Sequence, residues 1–185
     1  MGPSHAKHHL EDDVTGQFRY NELGDERFQQ LIQATLVAER GPGVQCFPLN
    51  QTDGGRDIAD GNSCVFQVKF SDKPVTRPAT WLRQTLDDES RHFEWLVSRG
   101  MTDYYIVTNV EGTAAPDRGD RDKIEKLLDG YQKKYKVNFF CWWRAEVDAH
   151  VVALPREVKF HFGDMLRAHE YAEYLSLIHI SEPTR

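Results

Sequence analysis

The stretch Asp53-Gly54-Gly55-Arg56-Asp57-Ile58-Ala59-Asp60-Gly61-Asn62-Ser63-Cys64-Val65-Phe66-Gln67-Val68-Lys69-Phe70 decides how the rest of the chain is read. Asp57 closes a first short strand candidate, Asp60-Gly61-Asn62 makes a turn, and Val65 to Phe70 forms a second, apolar strand. Side chains alternate across a strand, so Gln67 and Lys69 leave the same face. If the strands pair as a hairpin, Asp57 lies beside that pair. The product is a cluster of oxygen donors, Asp57 and Gln67, with the backbone carbonyl of Val68 as a further donor and one cation, Lys69, close by. Hard divalent ions are held by oxygens, and a neighbouring lysine orients a water or offsets charge developing on a phosphoryl group. Each residue alone has a plainer explanation. An aspartate beside glycines accepts backbone hydrogen bonds in a turn, a strand lysine sends its head to solvent, and a strand glutamine sits on a solvent face. The three in register favour the metal site.

Working outward, Phe28-Gln29-Gln30-Leu31 lies on the first helical pattern, Gly41-Pro42-Gly43-Val44-Gln45-Cys46-Phe47 precedes the quoted stretch, and Ile106-Val107-Thr108-Asn109 follows it. From about Tyr20 to Asn109 these segments resemble the PD-(D/E)xK nuclease superfamily in its Mrr-like restriction endonuclease branch, where Gln often replaces the second acid. The resemblance implies an α/β, restriction-endonuclease-like core with a mixed central β-sheet flanked by helices. It implies a Mg²⁺- or Mn²⁺-dependent endodeoxyribonuclease acting on double-stranded DNA, with Asp57, Gln67 and the Val68 carbonyl on the metal and Lys69 at the reacting phosphate. A closer likeness is to domains that stand ahead of STAND- or NACHT-type NTPases in bacterial anti-phage defence. That likeness implies a cytoplasmic effector that is activated as a homo-oligomer through a downstream region. No GxxxxGK[ST] phosphate loop occurs in the chain, so the expected NTPase lies downstream of it.

One position departs from the family. Many members place Glu directly after the helical Phe, where this chain has Gln29. Glu26, three residues earlier on a neighbouring part of the helix face, is the candidate substitute, weighed against a solvated helix charge. Asp53 is read as shaping the glycine loop or touching a second metal. Arg56, Lys73, Arg77 and Arg83 are candidate phosphate contacts clustered near the site, weighed against scattered surface charge. Trp81, Trp95, Trp142 and Trp143 are read as core or interface before base-stacking platforms. Three rivals to a DNA nuclease follow: a degenerate nuclease fold serving as a nucleic-acid-binding or oligomerisation module, a scaffold docking partners through Trp142-Trp143, and an RNase using the same chemistry.

The 185 residues suit one domain with a real core. A net charge of −6 argues against a broad electrostatic grip on nucleic acid while leaving room for a local basic groove. Cys46, Cys64 and Cys141 are widely spaced and odd in number, which suits a reducing compartment better than a disulfide scaffold. No apolar run is long enough to span a membrane. Residues 1–16, with His5, His8 and His9, read as a polar leader. Residues 17–145 form the nuclease-like domain, and 146–174 a helical extension or the start of a linker. Residues 175–185 can be encoded by a string resembling a transposon-end sequencing adapter, and are read as adapter read-through.

Between these ends the periodicity predicts helices over 25–40, 79–98 and 121–134, from apolar stripes such as Phe28/Leu31/Ile32/Leu36 and Leu82/Leu86/Phe93/Leu96. Strands are expected at 44–49, 104–108 and 137–143 besides the two of the site, and shorter helices within 147–154 and 163–174. The order α-β-β-β-α-β-α-β suits a mixed sheet between helices.

Overall fold

The computed structural model describes residues 18–48, 54–168, 170–172 and 175–176. The leader, Asp53, His169 and residues 177–185 lie outside the described residues.

Five strands form one sheet in chain order: β1 (Val44–Cys46), β2 (Ile58–Asp60), β3 (Cys64–Lys69), β4 (Asp103–Thr108) and β5 (Asn138–Trp142). The first three are antiparallel neighbours, with Ile58 opposite Phe66 and Asp60 opposite Cys64 across β2 and β3. The last three are parallel, with Gln67 opposite Ile106 and Lys69 opposite Thr108. Parallel strands need crossovers. Helix α2 (Pro78–Ser98) joins β3 to β4, and α3 (Asp120–Tyr135) joins β4 to β5. The chain begins with a 3₁₀ turn (Tyr20–Glu22) and α1 (Gly24–Arg40), and continues after β5 through α4 (Arg144–Ala153), α5 (Arg156–His161) and a second 3₁₀ turn (Gly163–Met165).

Strand alternation divides the core in two. Phe66 and Val68 of β3 face one way and pack with Phe28, Leu31, Ile32 and Leu36 of α1 and with Val147 and Val151 of α4. Val65 faces the other way and packs with Leu82, Leu86, Phe93 and Leu96 of α2 and with Ile124 and Leu128 of α3. The result is an α/β fold with a five-stranded mixed sheet covered by helices on both faces. Strand β3, paired with β4 along its length and with β2 over Cys64–Phe66, and covered on both faces, is apolar at nearly every position, as a central strand must be. Its one buried exception is Gln67.

Helix ends follow local chemistry. Pro78 starts α2, where its missing N–H costs nothing. Gly41, at φ 88°, lets the chain leave α1 and turn into β1. The segment beyond 145 is part of this architecture. Val147, Val151, Leu154, Phe162, Met165 and Leu166 are buried in the core on the α1 face, and Arg19 N–H donates to Met165 O at 2.8 Å. A boundary at 145 would cut through that core. Among the described residues no helix is long and apolar enough to cross a membrane.

Candidate active site

Asp57 stands one residue ahead of β2, so it opens that strand where the sequence suggested it closes one. The ladder explains why. Asp57 N–H donates to Phe66 O at 3.1 Å, and Phe47 N–H donates to Asp57 O at 3.0 Å. Before it, Gly54 and Gly55 adopt φ of 70° and 82°, outside the extended region, and strand pairing stops. These glycines are fixed twice over. Their positive φ disfavours any side chain, and a Cβ on Gly55 would stand 3.1 Å from the His92 side chain of α2.

The end of the ladder creates the site. Past Ile58, β2 no longer covers the edge of β3, and the Val68 N–H that a strand would have bonded donates to Asp57 Oδ2 at 2.6 Å. In a strand the N–H and C=O of one residue point to the same edge, so the Val68 carbonyl is directed to this uncovered edge as well. Asp57, Gln67, Val68 and Lys69 line one cleft of about 290 Å³, joined by Phe70 and by Asp25, Glu26 and Gln29 from the first turns of α1. The sequence-derived trio therefore shares one cleft. Gln29 and Glu26 line it too, and Asp25 adds a carboxylate that the sequence reading did not single out.

Asp57 is 8% exposed and Gln67 is 6% exposed. The Gln67 Oε1 atom is buried with no hydrogen-bond partner. A buried acceptor left unsatisfied costs about 1–3 kcal/mol, and a leucine in its place would avoid that cost. An unsatisfied amide oxygen on a residue that shares a cleft with Asp57 fits a hard cation that takes oxygen donors of mixed type and keeps several waters. Among the described residues no group of three or more His, Cys, Asp or Glu side chains is gathered to hold a metal. An ion here would rest on one buried carboxylate, an amide and a main-chain carbonyl, with Asp25 and Glu26 at the cleft wall. Those three carboxylates face one ammonium, that of Lys69. The cleft therefore attracts cations and repels a bare phosphodiester.

Lys69 Nζ donates to Glu89 Oε1 of α2 at 2.7 Å, with the two side chains 25% and 13% exposed. Glu89 is the contact that the sequence reading missed. A signal for it existed: Leu82, Leu86, Glu89, Phe93 and Leu96 recur at alternating steps of four and three, so Glu89 is the one charge on the buried stripe of α2.

The cationic candidates do not gather at this cleft. Arg56 lies between the rings of Phe47, 4.5 Å from its guanidinium carbon, and Trp95, 5.1 Å from it. Arg77 immediately precedes α2, and its carbonyl accepts from Trp81 N–H. Arg83 is exposed on α2 toward Tyr131, whose hydroxyl donates to Asp87. Lys73 lines a separate, neighbouring cleft. The tryptophans divide as expected for packing. Trp143 is buried among the α2–α3 residues, Trp142 stacks on His150 at 3.9 Å, and Trp95 remains 43% exposed. No protein-family model, curated protein or solved structure matches this chain.

Proposed function

We propose that this chain is a metal-dependent endonuclease domain with a restriction-endonuclease-like core, hydrolysing phosphodiester bonds in double-stranded DNA. The observation that carries the reading is the buried, unpartnered Gln67 Oε1 in the same cleft as Asp57 and Lys69. Asp57, Gln67 and the Val68 carbonyl would hold Mg²⁺ or Mn²⁺. The ion supplies Lewis-acid polarisation of the phosphate and a water of lowered pKa. Asp57 fixes the β2 end against Val68 through its carboxylate and so sets the width of the cleft. Gln67 brings an oxygen without charge, which keeps the cleft from becoming still more repulsive to a polyanion. Lys69 presents an ammonium to a phosphoryl oxygen or an attacking water, and Glu89 limits the directions that ammonium can take. Activation by clustering, as in a defence effector, agrees with the net charge of −6, which makes a lone domain a weak binder of DNA.

The test is plasmid cleavage with Mg²⁺ or Mn²⁺ at high protein concentration, comparing the wild type with Lys69→Ala and Asp57→Ala. Cutting by the wild type that both variants lose is the expected result. A second reading, a binding module without catalysis, is favoured by one observation: the ammonium of Lys69 is already taken up by Glu89. DNA binding with no cutting and no Mn²⁺ affinity would select it.

A further inference from the structure

A second cleft, of about 200 Å³, adjoins the first. Its lining includes Asn21, Ser71, Lys73, Asn109, Glu111 and Arg144. Phe70 lines the first cleft and Ser71 the second; likewise Asp25 at the start of α1 lines the first, and Asn21 in the 3₁₀ turn before it lines the second. We propose that this cleft binds a second backbone phosphate of the same nucleic-acid strand, with Lys73 as its principal contact. The proposal rests on the nuclease reading and extends it: the substrate is a polymer held by at least two phosphates, not a mononucleotide.

Hydrogen-bond accounting makes the cleft a donor surface. Glu111 is the one carboxylate in its lining, and both its oxygens are spent elsewhere: Oε1 accepts from Arg121 Nη2 at 2.7 Å and Oε2 from Ala145 N–H at 3.0 Å. Asn109 is also consumed. Its Oδ1 accepts from Ser71 N–H, and its Nδ2 donates to Ser71 O and to Asn21 Oδ1. That last bond uses the acceptor of Asn21 and leaves its amide N–H groups to be donated. Arg144 gives one nitrogen to Phe18 O at 2.7 Å, and its Nε is buried without a partner. Among the described residues the Lys73 ammonium has no ion pair. Asp72, next in sequence, does not line the cleft. The lining residues that keep donors unspent are thus Lys73, Arg144 and Asn21, an ammonium, a guanidinium and an amide, a set suited to an anion.

Adjacency of the two clefts points to the anion. A DNA strand presents one phosphate per roughly 3.4 Å of helix axis, and the two clefts meet at consecutive residues of one strand exit. The contrast in charge gives them different tasks. The first cleft is acidic and needs a cation before a phosphate can enter, whereas the second offers cationic donors to a neighbouring phosphate and offsets that repulsion.

The experiment measures binding of a DNA duplex by the full chain in Ca²⁺ or EDTA, over a salt series, for the wild type, Lys73→Ala, Lys73→Glu and Asn21→Asp. Lys73 and Asn21 are exposed, so the variants keep the fold, which circular dichroism verifies. Lys73→Ala is expected to weaken binding about 5- to 10-fold and to reduce the salt slope by about one. Lys73→Glu, which reverses the charge, should weaken it further, and Asn21→Asp, which replaces amide donors by a negative charge, should also weaken it. Unchanged affinity and slope in Lys73→Ala, with cleavage by the wild type intact, overturns the second subsite and leaves the nuclease reading standing. A wild type that neither binds nor cuts DNA overturns both.

Discussion

The antiparallel and parallel halves of the sheet share β3 and are otherwise built for different ends. In the parallel half, β3, β4 and β5 pair over most of their length and are buried between helices on both faces. In the antiparallel half, β1 and β2 pair over three residues each, and β2 stops where Gly54 and Gly55 leave extended geometry. The polar groups of the candidate site gather at that stopping point. A complete ladder would have bonded the Val68 N–H to backbone, and Asp57 would have had nothing to hold. The rigid half supplies position, and the interrupted half supplies uncovered oxygens and N–H groups.

Substitutions can test whether position and chemistry separate in this way. The largest effect is expected from Asp57→Asn, which keeps the shape and removes the charge. Cleavage should fall by about 10²- to 10³-fold, the scale of losing one electrostatic group in a site, while the melting temperature moves little. A melting temperature that collapses with activity would show that Asp57 is a structural cap alone. In the parallel half, Ile106→Ala empties space in the middle of β4, where Ile106 is fully buried. It should cost about 2–5 kcal/mol in denaturant unfolding, with residual activity tracking the folded fraction. Gly55→Ala probes the junction between the halves. Its positive φ costs about 1–2 kcal/mol, contact with His92 adds to that, and activity should drop more than stability because Asp57 is two residues away. Glu89→Ala should lower kcat about tenfold by freeing Lys69 to wander, and Glu89→Gln, which retains an acceptor, should recover part of that loss. Equal rates in all three proteins would break the link between α2 and the site.

The smallest effect lies at the start of α3, where Asp120 holds the loop after β4. Burial pushes the Asp120 carboxyl up, but hydrogen bonds from the Thr113 hydroxyl, Thr113 N–H and Ala79 N–H, together with Lys123, outweigh it and hold its pKa below the usual value. A depressed carboxylate contributes stability above the unfolded pKa and loses it as pH falls through the native one. Asp120→Asn should therefore be slightly less stable than the wild type at neutral pH. The two should converge in acid, as melting curves across roughly pH 2 to 7, the range in which carboxylates titrate, would show.

The strongly periodic elements were legible in the sequence. Helix α1 was expected over 25–40 and runs Gly24–Arg40; α2 over 79–98 and runs Pro78–Ser98; α3 over 121–134 and runs Asp120–Tyr135. Each carries a repeated apolar stripe that only one face of a helix can bury. Helix α5 was not legible, because none of its six residues is buried and no period marks it. At the site, Gln67 and Lys69 could be placed by strand alternation alone. Glu89 could not, since its contact with Lys69 depends on how α2 crosses the sheet twenty residues later. Arg56 shows the same gap in reverse: nearness in sequence suggested a phosphate contact, and folding put its guanidinium between two aromatic rings.

That stacking has a practical side. Trp95 is 43% exposed, and its ring lies beside the Arg56 guanidinium and where a Cβ on Gly54 would stand. Indole emission depends on adjacent charge and on water, so this residue is a built-in optical gauge of the loop that carries Asp57. Because the chain holds four tryptophans, the Trp95 signal is the difference between the wild type and Trp95→Phe, and ion entry that shifts the loop is expected to change it before any bond in a substrate is cut.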